Sequence, residues 1–172
     1  MPKILCLATT GFGKTTSALP VKDEDYGINI KGLNPSDTYF LSATTKPLPT
    51  EGSDDIYPST DDINQMAQFK RFMTNNAEQL AQAILFLIQS PFKNIVLDDF
   101  NYYMQDWYMD NALEKGWDAP KTIGFFMGKV FKAIEQADKA GKNLFVMAHP
   151  ELIPTSDMRQ EVKMKTTGKM VA

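Results

Sequence analysis

Short apolar runs interrupt this chain at four places, and none of them keeps a strict alternation of apolar and polar positions. Runs of this kind predict short strands that are buried on both faces, as in a parallel sheet. Polar residues that can do chemistry follow three of the runs: Thr, Gly and Lys, then a pair of Asp, then the single His. The strands predicted in this way span residues 4–8, 38–41, 94–97 and 143–148.

Longer segments between the runs place apolar residues on one face of a helix. The spacing predicts helices from about Thr74 to Pro91 and over 121–140, with Gly141 as a C-terminal cap. Prolines and a glycine predict a long loop over 44–60. Three further helices are expected, at 15–19, from Asp61 or Asp62 to Phe72, and at 101–115. One further strand is expected at 161–166.

Strands separated by helices predict an α/β fold with a mostly parallel sheet that helices cover on both faces. A single domain over residues 1–172 is expected from the length. Ligands of such sheets bind at the carboxyl ends of the strands. The unusual residues all follow predicted strand ends: Gly11 to Thr15, Asp98, Asp99 and His149. We therefore expect one ligand site at this edge of the sheet.

The segment ATTGFGKT, residues 8–15, matches the phosphate-loop pattern G-x-x-x-x-G-K-[ST], except that Ala8 replaces the first glycine. Backbone N–H groups of such a loop form an anion nest, to which the next helix adds its positive end. We expect Lys14 to reach the β- and γ-phosphates, Thr15 to ligate Mg²⁺ and Thr16 to contact the α-phosphate. A glycine-rich turn between a strand and a helix is the alternative. The predicted binding residues are Thr10, Gly11, Phe12, Gly13, Lys14, Thr15 and Thr16.

Two carboxylates follow the third predicted strand, and a histidine follows the fourth. Mg²⁺ prefers oxygen ligands and retains several waters, so Asp98 is assigned to the metal, through water. Asp99 is then the candidate for polarising the attacking water, and His149 the candidate for sensing the γ-phosphate. With Lys14, these two form the predicted catalytic set. The alternatives are a solvated carboxylate pair and a histidine that makes only structural hydrogen bonds.

Composition and charge narrow the class of protein. The formal net charge is −3, so no global positive field predicts a nucleic-acid partner, although a local basic loop is compatible with DNA. The single cysteine, Cys6, has no partner for an intrachain disulfide. No run approaches the roughly 20 apolar residues of a membrane span, and no signal-peptide pattern precedes the first strand. A cytoplasmic protein without a membrane partner is therefore expected.

Several stretches of the chain resemble one family: ATTGFGKTTSAL, GLNPSDTYFLSATTKPLP, NIVLDDFNYYM, LFVMAHPE and KMKTTGKM. In this order they resemble the Sak-type phage ATP-binding proteins, which are single-domain RecA-like P-loop ATPases. The resemblance covers most of the chain and implies a RecA-like core with ATP and Mg²⁺. It also implies a role in phage DNA recombination or single-strand annealing, with single-stranded DNA as partner and a homo-oligomeric ring or filament.

The chain departs from the RecA pattern in two respects. RecA uses a glutamate at the end of a neighbouring strand as its catalytic base, whereas that strand here runs TYFLSATTKPLP. The chain also stops after TTGKM, where related proteins continue into further strands, so a truncated or naturally short form is expected. By the resemblance, Arg159, Lys163 and Lys165 would contact DNA or the ATP of a neighbouring subunit, Lys165 above all. A solvated basic tail is the alternative.

Two other functions stay open on the residues alone. One is a non-hydrolysing ATP-binding module for oligomerisation or DNA binding, because the expected strand offers no glutamate base. The other is a small-molecule kinase, although kinases usually carry an arginine-rich lid and this chain has only Arg71 and Arg159. The aromatic residues after the acidic strand either stack on bases or pack in the core: Phe100, Tyr102, Tyr103, Trp107 and Tyr108.

Overall fold

The computed structural model describes residues 3–115, 118–154 and 160–165. A six-stranded sheet forms the centre of this part of the chain, and two further sheets have two strands each. In chain order the strands are β1 (Lys3–Leu7), β2 (Val21–Asp23), β3 (Ile28–Ile30), β4 (Thr38–Ser42), β5 (Ser59–Thr60), β6 (Arg71–Met73), β7 (Asn94–Asp98), β8 (Asn143–Ala148), β9 (Pro150–Pro154) and β10 (Gln160–Met164). The helices are α1 (Lys14–Ala18), α2 (Ser53–Ile56), a 3₁₀ helix (Ile63–Gln68), α3 (Ala77–Ile88), α4 (Tyr102–Lys115) and α5 (Ala119–Lys139).

The strands of the central sheet are all parallel and lie in the order β1-β8-β7-β4-β6-β5. β8 lies between β1, which precedes the phosphate loop, and β7, which ends in Asp98. The register pairs Leu7 with Ala148 and Ser42 with Asp98. The carboxyl ends of these four strands therefore lie side by side at one edge of the sheet.

Helices cover both faces of the sheet, so the expected α/β class with a mostly parallel sheet is confirmed. On one face α3, α4 and α5 bury residues such as Leu80 and Ile123 against Leu97 of β7. Shorter elements cover the other face, where Leu19 after α1 and Leu48 after β4 pack in a second cluster. Burial on both faces explains why the apolar runs of β4 and β7 lack a polar alternation. The expectation of a buried strand is wrong for β1, which lies at the edge of the sheet and exposes Ile4 (44%) and Leu5 (53%).

The four predicted strands correspond to β1, β4, β7 and β8, and Gly141 has a φ of 84° directly after α5, as a C-terminal cap requires. One prediction is wrong, because the segment from Asp62 to Phe72 is not a helix throughout. Asp62 does cap a helix, the short 3₁₀ helix, but β6 follows and Phe72 pairs with Leu41 of β4. Sheet pairing and complete burial of Phe72 override the local helical spacing.

The structure also contains elements that the sequence did not predict. β2 and β3 form a hairpin in the polar segment after α1, and an unpredicted β9 pairs with β10, which corresponds to the strand expected at 161–166. α2 and β5 lie inside the predicted loop at 44–60. Arg159 and the segment TTGKM lie outside the described residues. Within the described residues, no helix combines the length and the apolar character needed to cross a bilayer.

Candidate functional site

A cavity of about 300 Å³ opens at the carboxyl edge of the central sheet, and we call it the main cavity. Its volume is within the usual range for small-molecule sites. Phe12 alone among the predicted binding residues does not line it, and the Phe12 side chain is 78% exposed. The predicted site residues that do line it are Thr10, Gly11, Gly13, Lys14, Thr15, Thr16, Asp98, Asp99 and His149.

The phosphate loop has the backbone of an anion nest. Gly11 and Gly13 have φ angles of 83° and 73°, a left-handed region that glycine adopts without strain. A Cβ built on Gly11 would meet nothing within 4 Å, so the backbone angle and not crowding requires glycine there. Lys14 is buried, and its Nζ donates to the carbonyl oxygens of Ala8 (2.7 Å) and Thr9 (3.2 Å). The ammonium therefore lies over the loop, in the cavity where a phosphate would bind.

The main cavity contains a pair of oxygen ligands that suits Mg²⁺. Thr15 Oγ1 donates a hydrogen bond of 2.7 Å to Oδ1 of Asp98, which is 6% exposed. Within the described residues, no cluster of three or more His, Cys, Asp and Glu side chains could hold a metal ion. One hydroxyl and one carboxylate still suit an ion that phosphates and waters also ligate. The donor set thus fits Mg²⁺ that arrives with a nucleotide better than a metal held by protein alone.

The Asp98 carboxyl is held in an unfavourable environment for its charge. Burial raises the pKa of Asp98 from 3.8 to about 6, although the hydrogen bond from Thr15 acts in the opposite direction. The neighbouring Asp99 charge raises this pKa further. A bound cation would favour the ionised form, so the site is suited to exchanging a proton for a metal ion.

Asp98→Asn is expected to stabilise the nucleotide-free protein at neutral pH. Because the pKa of Asp98 is higher in the folded chain than in the unfolded chain, its contribution to stability is complete below about pH 4 and is lost as the pH rises through about 6. The full difference is about 3 kcal/mol of unfolding free energy. Urea unfolding of both proteins across this range should give curves that diverge as the pH rises. A constant difference between the two proteins would contradict the prediction.

Asp99 has the single positive φ of any non-glycine residue in the described ranges, at 54°. Successive residues of a strand point to opposite faces of the sheet, yet Asp98 and Asp99 line the same cavity. The left-handed backbone of Asp99 explains this, because it turns the chain directly after β7. Strain of this kind persists where the surroundings impose it, and it is frequent at active sites.

His149 follows β8 and faces Asp99, with 3.9 Å between His149 Nε2 and Asp99 Oδ1. This distance is too long for a hydrogen bond, so the two side chains do not pair with each other, and both line the main cavity. Burial and the nearby charge of Lys14 lower the pKa of His149. A lowered pKa favours the neutral ring at pH 7, which has one N–H donor and one acceptor nitrogen.

Asn101 connects this site to the β9–β10 hairpin. Its side chain accepts a hydrogen bond from the His149 backbone N–H and donates one to the Lys165 carbonyl. The Lys165 N–H in turn donates to the His149 carbonyl, at 2.8 Å. Lys165 and His149 also line a smaller cavity of about 280 Å³. Lys163 is exposed and forms an ion pair of 3.0 Å with Glu161. Contacts of either lysine with DNA or a second subunit stay predictions.

Sequence reasoning missed two cationic side chains in the wall of the main cavity, Lys46 and Arg71. The sequence predicted no role in the site for either of them. Lys46 follows the end of β4, beside the acidic strand, so its position gave a usable signal. Arg71 gave none, because its segment has helical spacing and was predicted as a helix.

Comparison with known proteins found similarity only among solved structures. No family model and no curated protein matches the chain. Among solved structures, it is similar to a KaiC-like protein from the hyperthermophilic archaeon Pyrococcus horikoshii OT3, at 13% sequence identity and a TM-score of 0.44. The match covers 97% of this chain and 80% of that chain. The parallel sheet, the helices on both of its faces and the phosphate loop after β1 give this chain an α/β P-loop fold. The residue assignments rest on the geometry of the main cavity and not on this distant likeness.

Proposed function

We propose that this protein binds ATP with Mg²⁺, hydrolyses ATP, and acts on single-stranded DNA in phage recombination or annealing. One observation carries the nucleotide part of the proposal. A phosphate nest with its lysine, a hydroxyl–carboxylate pair, a second carboxylate and a neutral histidine all line one cavity. A nest alone suits any anion, whereas this combination suits a triphosphate with a metal ion and a water molecule.

Each group has a distinct task in the proposed hydrolysis. The N–H groups of the phosphate loop and Lys14 hold the β- and γ-phosphates, and Thr15 with Asp98 orients Mg²⁺, which supplies charge neutralisation when it is bound. Asp99 accepts a hydrogen bond from a water molecule and directs that water toward the γ-phosphate. His149, whose Nε2 lies 3.9 Å from Asp99 Oδ1, donates its ring N–H to a phosphate oxygen.

Asp99→Asn is expected to slow ATP turnover about 100-fold, with ATP affinity changed by less than about twofold. Asparagine tolerates the left-handed φ of Asp99, so the chain turn after β7 is kept while the proton acceptor is lost. Steady-state phosphate release gives the turnover, and titration with a fluorescent ATP analogue gives the affinity. Asp25→Asn, at an exposed aspartate between β2 and β3, is the matched control. Equal turnover in both variants would assign the base to another residue.

The DNA part of the proposal rests on the family resemblance and on the β9–β10 hairpin. This hairpin is attached to His149 through Asn101, and it exposes Leu152 and Val162, each at 57%. Phosphate release with and without single-stranded DNA tests this part directly. Release that DNA leaves unchanged would contradict it. Nucleotide binding without any release, with or without DNA, would instead favour the non-hydrolysing module.

A second candidate function is favoured by a second cavity, of about 500 Å³, that we call the side cavity. It shares Thr44 and Lys46 with the main cavity, and polar side chains such as Asn75 and Gln79 line it. A pocket of this kind beside the phosphates suits a small hydroxylated acceptor, as in a kinase. ATP consumption that depends on a small acceptor, with no release of free phosphate, would favour this candidate over the ATPase.

A further inference from the structure

We infer that Lys46 supplies, from the same chain, a second cation for the terminal phosphate, and that Arg71 is the positioning residue that holds Lys46 at that place. The inference rests on the proposed ATP binding and goes beyond it. It concerns whether one chain by itself completes the charge arrangement of the site. A site completed within one chain would not need a cation from a neighbouring subunit.

The ammonium of Lys46 is available in the wall of the main cavity. Its Nζ lies 5.8 Å from the centroid of the Tyr102 ring, and both side chains line the cavity together with Lys14. Across the described residues, no carboxylate lies within ion-pair distance of Lys46 Nζ. The Tyr102 ring attracts the ammonium only weakly at such an exposed position, so an anion in the cavity can attract it away from the ring.

Arg71 fixes the backbone of the loop that carries Lys46. The Arg71 side chain is 3% exposed, and its Nη2 donates a hydrogen bond of 2.6 Å to the Lys46 carbonyl oxygen. Its Nε donates to Ser42 Oγ at the end of β4 (3.0 Å), and its Nη1 contacts Asp54 Oδ1 (3.3 Å). The same Asp54 oxygen accepts the backbone N–H of Leu48 at 3.3 Å. The loop is therefore held on both sides of Pro47, directly next to Lys46.

A purely structural anchor would not require this charge. Burial lowers the pKa of Arg71, which shows that the site is costly for a cation. Asp54, its ion-pair partner, is 54% exposed and compensates the buried charge only in part, and the charges of Asp98 and Asp99 at the main cavity also favour the charged guanidinium. The planar fork of a guanidinium, however, reaches several acceptors at fixed angles, which a lysine ammonium does not. Arg71 therefore combines a fixed loop with a positive charge that lines the main cavity.

The charges of the site favour a second cation at this position. Asp98 and Asp99 bring two carboxylates to the main cavity, and a nucleotide with Mg²⁺ is itself negatively charged. During phosphoryl transfer, charge is spread over the outer oxygens of the γ-phosphoryl group. An ammonium that faces those oxygens stabilises that charge more than it stabilises bound ADP, which lacks them.

The first test compares Lys46→Ala, Lys46→Arg and the control Lys31→Ala, which replaces an exposed lysine outside both cavities. Lys46→Ala should lower the turnover number about 100-fold, because one charge contact in the transition state is lost. The affinity for the fluorescent analogue mant-ADP should not change. Lys46→Arg should restore most of the turnover. If Lys46→Ala hydrolysed ATP as fast as Lys31→Ala does, the inference would be overturned.

The second test addresses Arg71 as a positioning residue. Arg71→Lys retains a charge but loses the fork, so turnover should fall about tenfold, with unchanged affinity for mant-ADP. If Arg71 had only a structural role, Arg71→Lys would lower thermal stability, but it would not lower turnover while leaving the affinity for mant-ADP unchanged. If Arg71→Lys does not fold, the Lys46 variants still decide. Turnover per chain should also be constant across protein concentrations. A rise with concentration that Lys165→Ala abolishes would assign the second cation to the neighbour and overturn the inference.

The same measurements separate a failure of this inference from a failure of the proposed function. A wild-type protein that does not bind mant-ADP would overturn the proposed function itself. A wild-type protein that binds ATP without hydrolysing it still gives a readout, the ratio of ATP affinity to ADP affinity. Lys46→Ala should lower that ratio about tenfold, since the lost contact involves the terminal phosphate. An unchanged ratio would overturn the inference while nucleotide binding stands.

Discussion

Lys14→Ala is expected to weaken ATP binding at least about 100-fold, because charge-assisted hydrogen bonds to the phosphates are lost and only the backbone nest remains. Lys14 Nζ already lies over the phosphate loop, where it contacts the Ala8 and Thr9 carbonyl oxygens. Isothermal titration with ATP and Mg²⁺ measures the effect. Wild-type affinity in the variant would refute the assignment of the phosphate loop.

The control for this prediction must separate loss of binding from loss of fold. Lys14 is 8% exposed, but it opens onto the main cavity, so water can hydrate the two carbonyl oxygens that the substitution leaves without their donor. We therefore expect a thermal midpoint close to that of wild type. Lys31→Ala, at an exposed position, should bind ATP like wild type. A midpoint lowered by many degrees would show that Lys14 stabilises the fold as well.

Asp98→Asn is expected to abolish the dependence of ATP binding on Mg²⁺ and to lower turnover by a factor of about 100 to 1,000. The carboxylate that orients the ion beside Thr15 is lost, whereas the amide oxygen still accepts the Thr15 hydrogen bond. Titrations of the fluorescent ATP analogue with Mg²⁺ and with EDTA should give equal affinities in the variant. They should differ for wild type and for the Asp25→Asn control.

This substitution is expected to act in opposite directions on stability and on function. Asp98→Asn removes a buried charge whose pKa is raised to about 6, so the free protein becomes more stable near pH 7, yet the site no longer retains Mg²⁺. An acidic residue kept at a cost in stability is typical of functional sites. If the variant were more stable and still responded to Mg²⁺, the metal ligand would be another residue.

The sequence alone predicted the parts of this protein that depend on neighbouring residues. The phosphate loop is such a part, since its nest needs only the glycine φ angles and the lysine within residues 8–15. The strands β1, β7 and β8 were also predicted, because each is an apolar run that is visible in the sequence, whether buried as in β7 or at the exposed edge of the sheet as in β1. The convergence of Lys14, Asp98 and His149 followed from the parallel order of these strands.

Only the tertiary structure revealed what depends on contacts between distant segments. The left-handed φ of Asp99 brings two consecutive carboxylates into one cavity, and no residue pattern predicts it. Arg71 holds the carbonyl oxygen of Lys46 because β6 pairs with β4, although its own segment has helical spacing. The spacing of apolar residues within a segment favours one backbone conformation for that segment. Sheet pairing and burial decide which segments come into contact. For that reason the sequence predicted the phosphate loop, and the structure added the cations opposite it.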